Sequence, residues 1–520
     1  MTRRQRLSLL AGAALLCHAA AASSAEPLSA IPWLSQSIVV TAAPPPPRGG
    51  GAMAPGQDPD GITVSPLGAI SRDAVGLLPP DATGFSRDLW GTAPAGQVRE
   101  AVLTKGGSGV PQAIALFRRL LIAEANPPQG GDPGSSLLVA RIDRLLQMGA
   151  LEEAEAMIET AGPDSPDLFR RWFDIGLLLD RAQPACAALR DNPSLSPTLP
   201  ARVFCLARGG DWNAAEITLT LGNNVGSISE EEQKLLARFL DPEIFEDQPD
   251  PPIPDPLTPL DFLLREAVGL PRPAGPLPLA FLQSDLRPDM PMRGRIEAAE
   301  RLVLAGGLPA PPLFAAYRAG EPAASGGIWD RARTVQALDA ALAAGDPTAT
   351  AGALVRADAA LSERGLRSAL AHEYGTSLAG LDPGPLPAPA RATLAELLLL
   401  DGRTEVARAA AGPAPASRIA ALLALAEGRS PAASEDLRLA AAAAGLSEAS
   451  PGDEREQGLA QLVDGGRQGE AILAALDLVS AGETVDPQAL RAALFALRRA
   501  GQEQAARAIA LETLLPGPAG

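Results

Sequence analysis

At six candidate helix turns along this chain a glycine is followed five residues later by an alanine: Gly149 and Ala154, Gly210 and Ala215, Gly402 and Ala407, Gly428 and Ala433, Gly466 and Ala471, Gly501 and Ala506. Glycine reaches the left-handed backbone conformation that closes a helix, and alanine is small enough for the next helix to lie against the first. The flanking residues have helical period. Leu138, Ile142, Leu145 and Leu146 share one face before Gly149, and Leu151, Ala154, Met157, Ile158 and Ala161 form a second stripe after it. Near the end, Asp486 suits an N-cap and Pro487 a first helical residue; Leu490, Ala493, Leu494 and Leu497 form a stripe that Gly501 stops. Its partner helix carries Ala506, Ile509, Ala510 and Leu514. The expected fold is all-α, built of helical hairpins.

The glycine that ends one helix and the alanine early in the next resemble the tetratricopeptide repeat, and Ala161, seven residues after Ala154, matches that family's next small position. Ile142 stands where the family carries a further glycine. The resemblance covers about half the chain and implies an α-solenoid, whose stacked hairpins present an extended surface to protein partners.

The N-terminus reads as an export signal: Arg3, Arg4 and Arg6, an uncharged run from Leu7 to Ala22, and small residues that place cleavage after Ala25. Arg6 stands where twin-arginine signals carry an aromatic, and Leu16 precedes Cys17 where lipoprotein signals need a small residue. No later stretch approaches the ~18 apolar residues of a membrane helix, so no membrane insertion is expected. Arginine in place of lysine, with abundant Ala, Pro and Gly, resembles proteins of high-GC proteobacteria, and the expected compartment is the periplasm.

Residues 26–95 lack helical period and are rich in breakers, including Pro44 to Pro47 and Gly49 to Gly51. This segment is expected to be an extended or disordered arm. Two apolar islands interrupt it, one around Ile31, Trp33, Leu34 and Ile38, the other reaching Phe85, Leu89 and Trp90. Trp33, Phe85, Leu89 and Trp90 are candidate partner-binding anchors, since aromatic side chains usually centre such contacts; the second island alternatively caps the first helical block. Helical blocks are expected at 96–246 and 259–520, separated by the acidic, proline-dense linker 247–258. Pro271 to Pro291 reads as an irregular excursion within the second block.

Charge and composition narrow the function. The formal charge is −17, and removing the three signal arginines takes it to −20, so nucleic acid and anionic lipid should be repelled. Only 3% of residues are aromatic, a shortage that disfavours a small-ligand or sugar binder built on stacking. Outside the signal the cysteines are Cys186 and Cys205, expected to form a structural disulfide in an oxidising compartment.

His372 is the only histidine beyond His18, which excludes multi-histidine metal sites, and His372-Glu373 lacks the second histidine of a zinc-protease helix. Neither lysine, Lys105 nor Lys234, follows glycine, so a phosphate loop is absent. Gly375-Thr376-Ser377-Leu378-Ala379 only approaches a nucleophile elbow, and it sits in a helical context. Asp58, Asp60 and Gly61 lack the remaining ligands of a calcium loop, and Asp247, Asp250 and Asp255 read as solvated linker. No Glu-Ser-x-Phe sequence of the soluble lytic transglycosylases occurs. No catalytic residue, cofactor or metal is therefore expected. The leading reading is a non-enzymatic periplasmic scaffold or adaptor for protein partners in the cell envelope. The alternative is a peptidoglycan or envelope-polysaccharide enzyme using a carboxylate pair.

Overall fold

All six turn glycines take positive φ, from 72° at Gly428 to 86° at Gly210. After each, the next residue donates its N–H to the carbonyl five positions back, as in Ala150 to Leu145, Asp211 to Leu206 and Gln502 to Leu497. This bond satisfies a carbonyl that the helix end leaves open. In five of the six turns a second helix starts immediately, and Ala154, Ala215, Ala407, Ala471 and Ala506 are fully buried against the first. Gly428 departs from the pattern: its helix closes, but the next begins only at Leu437, and Ala433 lies outside the described residues.

The structure is a computed structural model that describes Ile31, Trp33, Leu34 and residues 71–130, 136–196, 198–243, 249–432 and 435–515. Among them the chain is all-α, and pairing of extended backbone is limited to two isolated bridges, Leu78 with Ala123 and Pro94 with Gln129. The first helices are α1 (Pro80–Thr83), α2 (Ala95–Thr104), α3 (Pro111–Leu121), α4 (Ser136–Met148) and α5 (Leu151–Ala161). There follow α6 (Pro166–Leu178), α7 (Gln183–Asp191), α8 (Leu199–Arg208), α9 (Trp212–Asn224), α10 (Glu230–Leu240) and α11 (Pro259–Ala267). The third stretch holds α12 (Met292–Leu304), α13 (Ala310–Arg318), α14 (Ile328–Ala344), α15 (Pro347–Ser362), α16 (Arg367–Ala379) and α17 (Ala388–Leu400). The last helices are α18 (Thr404–Ala411), α19 (Ser417–Ala426), α20 (Leu437–Ser447), α21 (Glu454–Asp464), α22 (Gln468–Leu478), α23 (Pro487–Arg499) and α24 (Glu503–Leu514).

These helices share two main cores. The larger runs from Ile31 to Leu515 and joins α2 to α5 with α12 to α24. The smaller belongs to α6 to α11, with Phe169, Phe173, Phe204, Leu235 and Leu264 at its centre. This second group is a side lobe: α11 packs back on α6, and a 3-10 segment, Leu279–Leu286, then returns the chain to α4 and α12. The proline-dense stretch expected at 247–258 runs, over its described residues 249–258, between α10 and α11, whose apolar faces share the lobe's core.

The larger core brings the two ends of the described chain together. Helix α3 packs on α22 and α24, and α2 packs on α22. In an open solenoid each hairpin touches only its neighbours. Here α24 also meets α17, α19 and α20.

Residues 71–95, expected within an extended arm, are folded. Val75 and Asp73 lend carbonyls to the buried guanidinium of Arg141, which also reaches the carbonyls of Leu121 and Ala123. Burial pushes Arg141 down to about 10, against the opposing pull of Asp73. Leu77 and Leu78 donate to Ile122, and Gln129 donates to Ala93, so the segment is fastened without helical period. That is why periodicity alone read it as unstructured. Most of the remaining arm, and residues 1–25, lie outside the described residues.

Candidate functional site

The side chains expected to anchor a partner are covered by the protein itself. Trp33 meets the edge of Phe281 with ring centres 5.3 Å apart, and the carbonyl of Leu34 accepts from Arg170 of α6. Trp33 and Leu34 thus sit where the lobe joins the larger core. Trp90 and Leu89 lie over Gly469 at the start of α22, where a Cβ would fall 2.5 Å from the Trp90 ring. The Gly469 N–H donates to the Leu89 carbonyl, and the Gln502 amide donates to that of Gly84. Arg119 stands 5.5 Å over the Phe85 ring. Phe85, Leu89 and Trp90 therefore fill the junction between the N-terminal and C-terminal helices, and like Trp33 they are buried within the protein.

Exposed apolar surface lies elsewhere, on α9. The Asp211 carboxylate accepts the Ala214 N–H as N-cap, directly after the positive-φ turn at Gly210. Ala215, Leu219 and Gly222 turn inward against α8 and α10, and Gly222 leaves room for Ile228 and Leu199. The outward face keeps Trp212 50%, Ile217 60%, Leu221 58% and, at the C-cap, Val225 71% exposed. They make up four of the seven large apolar side chains exposed among the described residues. Single exposed apolar residues are ordinary on a protein surface; such a concentration makes α9 the candidate interaction surface.

The lobe holds this helix firmly. Rings of Phe173, Phe204, Phe239 and Trp212 follow one another at 6.2, 6.0 and 6.2 Å, from α6 out to the start of α9. Cys186 of α7 and Cys205 of α8 are bonded, with Cα atoms 5.1 Å apart, as the cysteine count had suggested. On another side of the lobe a cavity of about 380 Å³ lies between α6, α10 and α11. There Arg265 donates to the carbonyls of Pro251 and Pro252, Thr258 donates to Asp261, and burial pushes the Asp261 carboxyl up. These groups tether the proline-rich stretch to α11.

His372 lies on α16 at the seam between the chain's two ends. Its Nδ1 is 3.0 Å from Asp401, and its Nε2 faces the Gln112 amide of α3 at 3.2 Å. Arg403 also pairs with Asp401. Below, the buried Glu512 carboxyl accepts the Gln112 N–H near the start of α3 and the Ser368 hydroxyl of α16, each at 2.6 Å. Burial pushes Glu512 up to about 7. A cavity of about 600 Å³ opens beside His372. The Ser368 hydroxyl is turned to Glu512 and the histidine faces an amide; these groups fasten α3, α16 and α24 together.

Gly375 to Ala379 lie within α16, in helical and not elbow geometry. Asp250 pairs with Arg238, whereas Asp58, Asp60, Gly61 and Asp247 fall outside the described residues. Among the described residues no helix is long and apolar enough to cross a membrane. Sequence reading missed α9 because its stripe resembles that of any half-buried helix. The usable signal was its lack of charge: Glu216 is the only charged residue among its thirteen. No protein-family model, curated protein or solved structure matches this chain.

Proposed function

We propose that this protein is a non-enzymatic scaffold or adaptor of the bacterial cell envelope, which binds a protein partner through its helical surface with α9 as the docking helix. The concentration of exposed apolar side chains on that one helix carries the reading. A disulfide in the same lobe and an N-terminal segment of signal-peptide character support a periplasmic setting. Hairpins closed by glycine and packed on alanine support a distant likeness to tetratricopeptide units, used here to hold α9 on a rigid frame.

The test is site-specific photo-crosslinking in cells, with a benzophenone side chain at Ile217 or Val225 and, as controls, at Val355 and Leu437, which are exposed on other helices. A discrete adduct from both α9 positions and from neither control is the expected result. Adducts that are absent at α9, or equal at all four positions, would overturn the assignment.

A further inference from the structure

Resting on that docking reading, we infer that the occupant of α9 is a cationic amphipathic helix of a partner protein. Ile217, Leu221 and Val225 follow one another at intervals of four, so they form one nearly straight row. Eight residues of helix advance roughly 12 Å. A row of this shape has no pocket for a single anchoring side chain; it fits a second helix laid alongside, whose own apolar stripe sits against it.

Charge sets the kind of helix. From Gly209 to Gln233 the chain carries Asp211, Glu216, Glu230, Glu231 and Glu232 and no cationic side chain. Asp211, Glu216, Glu230 and Glu231 are exposed. Of the cations near this stretch, Lys234 bonds Glu230 at 2.7 Å, Arg208 lies 3.9 Å from Asp180, and Arg190 stands beside Gly209 at the turn before α9. The row is therefore apolar, and the charges of the segment that carries it are all acidic. Lysines or arginines flanking a partner's stripe would meet those carboxylates, speeding encounter and rejecting acidic competitors. A second copy of this chain would bring two such acidic segments together on molecules of charge −17, and an anionic membrane would meet the same repulsion.

The purified full chain, with its disulfide intact, is titrated against two labelled 18-residue helical peptides that share one leucine stripe. One has lysine on its remaining faces, the other glutamate. Fluorescence anisotropy should show the leucine–lysine peptide binding at least tenfold more tightly, with affinity falling between 50 and 500 mM salt.

Leu221→Asp separates docking from diffuse attraction. It adds a carboxylate, so nonspecific binding to an acidic protein would hold or rise, whereas docking on the row should weaken tenfold or more. Ile217→Ser, which adds no charge, should weaken binding in the same direction. Equal affinity for both peptides overturns the inference, as does lysine-peptide binding that survives both substitutions. Self-association that sedimentation velocity detects and Leu221→Asp abolishes would overturn it in favour of a second copy. If α9 gives its discrete crosslink while the lysine peptide shows no preference, the docking helix stands and its cationic occupant falls.

Discussion

The second apolar island and helix α9 carry similar side chains and meet opposite fates. Phe85, Leu89 and Trp90 sit in a stretch without period and are buried; Trp212, Ile217, Leu221 and Val225 sit on a regular helix and are exposed. The difference lies in what surrounds each. The island has residues 122–129 on one side and the starts of α22 and α24 on the other, because the first and last described helices meet there. Among the described residues helix α9 packs chiefly on α8 and α10. Burial of an apolar side chain thus follows from how many elements converge on it, which neither its type nor its local period reports.

The comparison breaks most visibly at Trp90. Truncating a buried aromatic costs roughly 3–5 kcal/mol, so Trp90→Ala should lower stability by about that much in urea unfolding. Gly469→Val should destabilise comparably, since its side chain would start where the indole lies. A loss below about 1 kcal/mol in both would mean that the island does not hold the two ends together.

Next comes the disulfide, which stiffens the lobe on which α9 rides. Replacing Cys186 and Cys205 with serine reopens a loop of about 20 residues and should cost about 3 kcal/mol on the chain-entropy argument. Faster amide exchange should appear in α7 and α8 and leave α22 to α24 unchanged. Thiol labelling of the unfolded, unreduced protein should find neither cysteine free.

The seam offers a smaller, pH-dependent effect. Burial raises the Glu512 carboxyl to about 7, above the 4.5 of a free glutamate, so the folded chain holds this proton more tightly than the unfolded one. Its contribution is full below about pH 4.5 and is lost as pH rises through about 7. Glu512→Gln keeps an acceptor for the Gln112 N–H and removes the titration. Over that window the difference in stability between wild type and variant should therefore change by at most about 1.4 kcal/mol per pH unit. The variant gains relative to wild type towards pH 8; parallel stability curves in urea titrations from pH 4 to 8 would refute this.

Local features were legible in the sequence because they are fixed by nearby residues. The six turn glycines, the alanines beneath five of them and the cysteine pair could all be read directly. Gly428 also had a usable mark: Ala424 stands four residues before it, where the other five turns carry leucine, and its turn alone opens no second helix at once. What stayed hidden was the meeting of chain segments hundreds of positions apart. Gln112 with Glu512, Gln502 with Gly84 and Gly469 with Leu89 have no signature in periodicity, since each pair joins residues that are individually unremarkable. For the same reason the island's aromatics read as anchors and α9 read as ordinary.

The smallest expected effect sharpens the comparison most. Leu221→Ala and Ile217→Ala remove side chains that are already more than half in water, so they leave little cavity behind and forfeit little buried area. Alanine also favours the helical state over isoleucine and matches or exceeds leucine, which offsets part of any packing loss. Both variants should unfold within about 0.5 kcal/mol of wild type. Trp90→Ala, also an apolar truncation in a segment of the same chain, should cost several times more. If either α9 variant instead loses 2 kcal/mol or more, its side chain is held by contacts within the fold. The free row on α9 would then be part of the protein's own packing, and the docking helix would have to be sought elsewhere.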